Sequence, residues 1–392
     1  MRSRSAVDGS PSTPFRFDRA EWAGAVADVG VLVPIAVALI VSNGLAPTAV
    51  LLPPALLYLV SAFRYRLPVP VQPLKAFGAI AIALGLGVDE IAAGAVLMGV
   101  TFVLLSATGW LDVVARVFPR AVIRGVQLAV GLLFLKIAWG LATDPPGTFN
   151  GHGVSPPWLL LGTVVVAAAA WLLRSHAISL LLVSVGLAAM FVSGWQDLAW
   201  GPSAMPLPHL SVDAFLAAST ALVLPQLPLT FANSCLAPAD AARTYFGVAA
   251  ARRVTPSRLA ASLGVADLIA GAMGGMPVCH GAGGMTAHRT FGARTGGAPL
   301  IMGTLLLAMA LILGAGLANL LTNFPLSILA GLLATAGILH ITLLRDLKVR
   351  SEWAIAVLVG VLGLFGWLAV GLVVGVLLAW LVGRTKGRVS TG

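Results

Sequence analysis

Leu67–Lys75 reads LPVPVQPLK and Met276–Gly284 reads MPVCHGAGG. The two stretches occupy matching places in the two halves of the chain, with Pro68-Val69 answering Pro277-Val278. Each follows an apolar run and then puts proline or glycine where a spanning helix would continue. Proline lacks the backbone donor and its ring clashes with the turn before it, so neither stretch reads as regular helix. A helix broken at mid-membrane exposes backbone groups that only protein or a polar cavity can cover. Two such breaks at corresponding positions mark the binding site of a secondary transporter.

Composition agrees with that reading. The chain has 392 residues, 59% hydrophobic and only 10% charged, with a mean hydropathy of +0.98. Runs such as Ile301–Leu321 and Trp353–Val382 are long enough to span a bilayer. The expected fold is an all-α polytopic membrane protein of about fourteen segments. They fall near 22–42, 46–63, 67–84, 89–108, 118–141, 157–173 and 177–194, then near 211–236, 258–273, 277–291, 298–318, 324–344, 352–366 and 367–383. The third and tenth are the broken ones. Seven is odd, so the second copy is inverted relative to the first, an alternating-access design. Phe118-Pro119 before Gly125 echoes Phe324-Pro325 before Gly331. The domain reading is a tail at 1–20, a first repeat at 21–194, a connector at 195–210, a second repeat at 211–384 and a tail at 385–392. Residues 237–257 read as the longest basic connection, able to hold a short interfacial helix.

The formal net charge of +10 would suggest nucleic acid in a soluble protein. Here Lys and Arg cluster in alternate loops, among them Arg64–Arg66, Arg243–Arg258, Arg289–Arg294 and Arg345–Arg350, while Asp144–Pro157 and Trp195–Ser211 contain none. That alternation is the positive-inside pattern. It excludes a nucleic-acid role and predicts an inner-membrane protein with both termini cytoplasmic. Lys136 and Lys75 escape the pattern. Lys136 reads as a residue that snorkels to the interface; Lys75 lies inside the first interruption. Cys235 and Cys279 sit in apolar context and read as free thiols.

At Glu21–Pro34 (EWAGAVADVGVLVP), Pro68–Ala76 (PVPVQPLKA), Leu224–Ser234 (LPQLPLTFANS) and Gly274–Gly284 (GGMPVCHGAGG), the chain resembles the molybdate transporter family, a branch related to the SulP sulfate permeases. The resemblance implies a seven-plus-seven inverted repeat, a core and a gate moving against each other, and a tetrahedral oxyanion held between the third and tenth spans. It also implies no C-terminal STAS domain.

The residues at the breaks suit such an ion. Burying a dianion uncompensated is prohibitive, whereas two helix N-termini offer roughly half a positive charge each and a lysine supplies the rest. The expected substrate-binding set is Gln72, Lys75, Gln226, His280, Gly281, Ala282 and Gly283. Duller roles stand beside these: Lys75 paired with a buried carboxylate, Gln72 satisfying backbone freed by Pro70 and Pro73, His280 as a structural hydrogen-bonder, Gln226 as a helix staple, the glycines as packing. Asp28 and Asp267, as intramembrane acids, are candidates to carry a coupling proton. Cys279, His280 and His288 lack the ligand set for zinc, so no metal or cofactor is expected. The expected partners are molybdate or a related oxyanion, protons and membrane lipid, with a homodimer compatible with the pattern. Competing functions are sulfate transport, nucleobase transport, a passive channel, and an intramembrane enzyme using Cys279 and His280 as nucleophile and base.

Overall fold

The computed structural model describes residues 14–389, except 27–28, 112, 114–116, 151–153 and 173–175. The described chain is mostly helical. Its first half comprises α1 (Arg19–Ala25), α2 (Val29–Val41), α3 (Pro47–Tyr65), a two-residue strand β1 (Gln72–Pro73), α4 (Lys75–Leu84), α5 (Val88–Thr108), α6 (Arg120–Thr143), α7 (Pro156–Leu172) and α8 (His176–Gly194). The second half opens with α9 (Val212–Phe246), α10 (Val248–Ala251), α11 (Pro256–Ala272), the strand β2 (Val278–Cys279) and α12 (Ala282–Thr290). It closes with α13 (Gly297–Leu321), α14 (Leu326–Thr342), α15 (Arg350–Leu364) and α16 (Leu368–Val389). Seven helical stretches among the described residues are long and apolar enough to cross a membrane. Leu161, Val164, Val192, Leu377 and Trp380 lie exposed on the outer helices, a surface suited to hydrocarbon.

Hydrogen bonds and ion pairs among helix ends and loops define the two ends of the molecule. At one end the Tyr65 hydroxyl oxygen lies 2.9 Å from the Arg258 carbonyl, and the Gly296 amide donates to the Arg66 carbonyl. There too Arg124 and Arg120 pair with Asp346. At the other end the Asn150 amide donates to the Thr322 carbonyl and the Gly201 amide to the Ile312 carbonyl, while Thr48 bonds to Ser203. The Arg-rich loops thus gather at one face, and the loops after α6 and α8, free of Lys and Arg, gather at the opposite one.

Small residues set the helix contacts. A Cβ on Gly99 of α5 would stand 2.8 Å from the Gly264 carbonyl of α11, and one on Gly271 would stand 2.8 Å from the Ala92 carbonyl. In the same way α6 and α14 meet at Gly131 and Gly337, each 2.7 Å from the other's carbonyl by that measure. Such backbone approach is how membrane helices gain contact where no hydrophobic effect drives them together.

The eighth segment is longer than its sequence suggests. It was expected to end near 236, but α9 runs to Phe246, and the anticipated connection contributes only α10 after Gly247, whose φ is +82°. Ala237, Ala239, Ala241 and Ala242 are strong helix formers, which favours continuation. Within α9, π-helical turns at Ser219–Val223 and Thr230–Leu236 lie just ahead of Pro225 and Pro238. A proline ring clashes with the carbonyl four residues earlier, and a widened turn gives that carbonyl room. The final two segments form a hairpin, turned at Phe365–Trp367 with Gly366 at φ +86°.

Candidate substrate site

Residues before Lys75 and before Ala282 run extended, and there the two halves meet. β1 pairs antiparallel with β2, Gln72 opposite Cys279 and Pro73 opposite Val278, and the Leu74 amide donates to the Pro277 carbonyl at 3.2 Å. Helices α4 and α12 leave this crossing in opposite senses. The far end of α4 lies beside Asn43, whose side-chain amide donates to the Ala81 and Leu86 carbonyls at 3.0 and 2.9 Å. The far end of α12 leads into the Arg-rich loop 292–296. Both helices therefore begin deep in the molecule. The first amides of any helix lack an intrahelical acceptor and carry its positive end.

Lys75 is the first residue of α4 and is half-buried. Its Nζ donates to Gln72 Oε1 at 2.7 Å, and among the described residues it forms no ion pair with a carboxylate. Gln72 lies against the start of α12: a Cβ on Gly281 would stand 2.0 Å from Gln72 Oε1. The ammonium, the Gln72 amide and both helix starts thus share one locus. Ala282 is half-buried, and Gly283 and Thr286 are exposed; nothing lies within 4 Å of where a Gly283 Cβ would point. This face of α12 opens toward the Arg-rich end.

Gln226, His280 and Asp267 serve the backbone around this locus. Gln226 is buried on α9; its Oε1 accepts the Phe77 amide of α4 at 3.0 Å and its Nε2 donates to Thr230 Oγ1 at 2.9 Å. His280 has no exposed surface. Its Nδ1 lies 2.9 Å from the Pro70 carbonyl, which can only accept, so Nδ1 carries a proton. In the neutral ring Nε2 then accepts from the Ser262 hydroxyl, 2.8 Å away. The edge of Tyr65 packs on the imidazole, with ring centroids 5.7 Å apart. With both nitrogens engaged, His280 ties the two extended arms to α11 and makes no pair with Cys279. Asp267, also fully buried, accepts the Val278 amide at 2.7 Å through Oδ1, while Oδ2 has no partner among the described residues. Asp28 lies outside the described residues. The structure therefore brings Gln72, Lys75, Gly281, Ala282 and Gly283 together at the crossing, and sets Gln226, His280 and Asp267 one step behind it.

Three supporting residues escaped the sequence reading. Tyr65 and Ser262, joined at 2.6 Å, hold His280. Glu21, 1% exposed, accepts from the Arg294, Thr295 and Ala298 amides and from the Thr295 hydroxyl at 2.8–3.0 Å, fixing the loop that follows α12. An acid at the edge of the first apolar segment was the available signal for Glu21; single hydroxyls in apolar helices gave none. No group of three or more His, Cys, Asp or Glu among the described residues could hold a metal ion.

Known proteins share this fold. The transmembrane domain of the cyanobacterial bicarbonate transporter BicA superposes with a TM-score of 0.66 at 16% identity, covering 91% of this chain and 97% of that one. Murine Slc26a9, an anion transporter solved in the inward-facing state, gives 0.68 at 15% identity, covering 95% and 70%. These likenesses establish the fold. In sequence, Molybdate transporter 1 of Arabidopsis thaliana is 27% identical, covering 95% of this chain and 90% of its own length. Molybdate transporter 1 of Chlamydomonas reinhardtii is 28% identical, covering 87% and 86%. The family described as "Molybdate transporter of MFS superfamily" matches residues 20–134 and 217–339, which include both crossing segments. With that match across more than half its length, the chain belongs to the molybdate transporter family.

Proposed function

We propose that this protein is a proton-driven secondary carrier that imports molybdate, binding the dianion where its two broken segments cross. The observation that carries the proposal is the antiparallel pairing of Gln72–Pro73 with Val278–Cys279, from which α4 and α12 start beside the Lys75 ammonium. Two helix starts of roughly +0.5 each and one ammonium sum to about +2, which offsets a dianion. In this reading Lys75 and the amides of Ala282 and Gly283 touch the anion, and Gln72 aims the ammonium. Gln226 and His280 hold the helix starts in place. The naming of the curated relatives as molybdate transporters supports the substrate, and the clustering of arginine at one face supports placing that face in the cytoplasm. Sulfate has the same charge and symmetry and is the leading competitor.

The test is uptake into proteoliposomes, with molybdate, tungstate and sulfate in competition. Molybdate is expected to saturate uptake at the lowest concentration and to accumulate only with a proton gradient. Lys75→Gln is expected to abolish binding in a folded, inserted protein; unchanged uptake kinetics would remove Lys75 from the site.

The candidates to carry the coupling proton are Asp28 and Asp267, and of these two Asp267 is the one among the described residues. Asp267→Asn keeps an oxygen for the Val278 amide but cannot ionise. The variant is expected to retain exchange of bound anion and to lose proton-driven accumulation. Accumulation at the wild-type level would reduce Asp267 to an anchor of β2.

A further inference from the structure

Lys136 is an intramembrane charge that the crossing does not use. It lies seven residues before the end of α6, about 10 Å of helix rise inside the Arg-poor face, and its side chain is exposed. Among the described residues it has no hydrogen-bond or ion-pair partner. It borders a cavity of about 260 Å³ walled by Ile80, Ala83 and Leu84 of α4, Leu133 of α6, Thr220 of α9 and the α15–α16 turn at Gly363–Ala369. No acidic residue lines this cavity.

From these observations we infer a second anion site: an outer antechamber in which Lys136 captures the oxyanion before it reaches the crossing. The inference rests on the carrier reading above. A water occupies about 30 Å³, so the cavity holds a tetrahedral oxyanion together with several waters. Apart from Lys136 and Thr220 its lining side chains are apolar, and a single uncancelled positive charge between low-dielectric walls concentrates anions from solution. Ile80 and Leu84 lie five and nine residues past Lys75 on the same helix, about 8–14 Å of rise. An anion leaving Lys136 thus meets the next positive charge along α4 without passing a carboxylate of the cavity wall. Gly283 and Thr286, exposed on α12 toward the Arg-rich end, lie apart from this cavity, whose lining includes neither of them.

The experiment measures initial molybdate uptake by intact cells producing the full chain, in which orientation is uniform, alongside equilibrium molybdate binding to the purified protein. Lys136→Gln is expected to raise the half-saturating external concentration at least about threefold and to flatten its dependence on ionic strength. Maximal rate and equilibrium binding are expected to stay within about twofold, and Lys136→Arg to restore wild-type half-saturation. Ala83→Trp, which fills the cavity and keeps the charge, is expected to reproduce the rise. Wild-type half-saturation and salt dependence in Lys136→Gln would overturn the antechamber while leaving the carrier reading intact. A defect seen only in liposomes containing anionic lipid would reassign the lysine to a lipid phosphate and also overturn it. Failure of the wild type to bind or transport any oxyanion would overturn both readings.

Discussion

Gly281 is required by space and not by backbone conformation. Its φ of −83° suits any residue, yet a Cβ there would stand 2.0 Å from Gln72 Oε1. Gly281→Ala is therefore expected to displace Gln72 and with it the acceptor that orients Lys75. The loss of one charge-assisted hydrogen bond, about 1.5–3 kcal/mol, predicts at least about tenfold weaker molybdate binding by calorimetry. Gly283 gives the contrast: its Cβ position is open, so Gly283→Ala is expected to fold normally and to act only on the bound anion. His280 predicts a third pattern. Its removal leaves the Pro70 carbonyl without its imidazole donor and takes one of the partners of the Ser262 hydroxyl. His280→Ala should lower thermal stability by about 1–3 kcal/mol, read by the melting of the solubilised protein.

At the scale of elements, the start of α4 depends on α9. Gln226 takes the Phe77 amide across 149 positions of sequence, and it reaches that amide because a π turn and Pro225 set the phase of α9. Gln226→Ala is expected to weaken binding through α4 even though Gln226 need not touch the anion. Thr230→Val, which removes the hydroxyl that Gln226 Nε2 donates to, should weaken it in the same direction and by less. Such a link was not legible beforehand. Polar residues on the eighth segment were visible in the sequence, but which backbone group they satisfy depends on the relative height and rotation of two helices. The breaks themselves were legible, because proline and glycine act on the local backbone wherever the chain places them. At α1 the Asp18 carboxylate caps the helix through the Glu21 and Ala20 amides; the Glu21 amide, followed by nearby Arg16, draws its pKa below the ordinary aspartate value. A depressed pKa means that the cap persists above the aspartate range and is lost as pH falls through that lowered value.

Across the whole molecule, the exposed face of α12 makes a sidedness prediction. Thr286 is exposed on the face of α12 that opens toward the Arg-rich end, while Cys235 and Cys279 are both buried. Thr286→Cys, in a background with both native cysteines replaced by alanine, should react with an impermeant maleimide from the cytoplasmic side and be protected by molybdate. Labelling only from the opposite side would invert the assigned orientation.

Residue order alone was enough to read the membrane setting, the two interruptions, the clustering of arginine in alternate loops and the lysine inside the first break. Each of these is a local property of composition or backbone chemistry, readable wherever it occurs. It took the packed fold to establish that the two breaks pair strand to strand, that Gln72 and Lys75 meet the start of α12, and that His280 and Gln226 face backbone and neighbouring hydroxyls. Those facts depend on how helices far apart in the chain pack, and in an apolar solvent that packing is set by close contact between small residues such as Gly99, Gly264 and Gly271. No single segment contains that information.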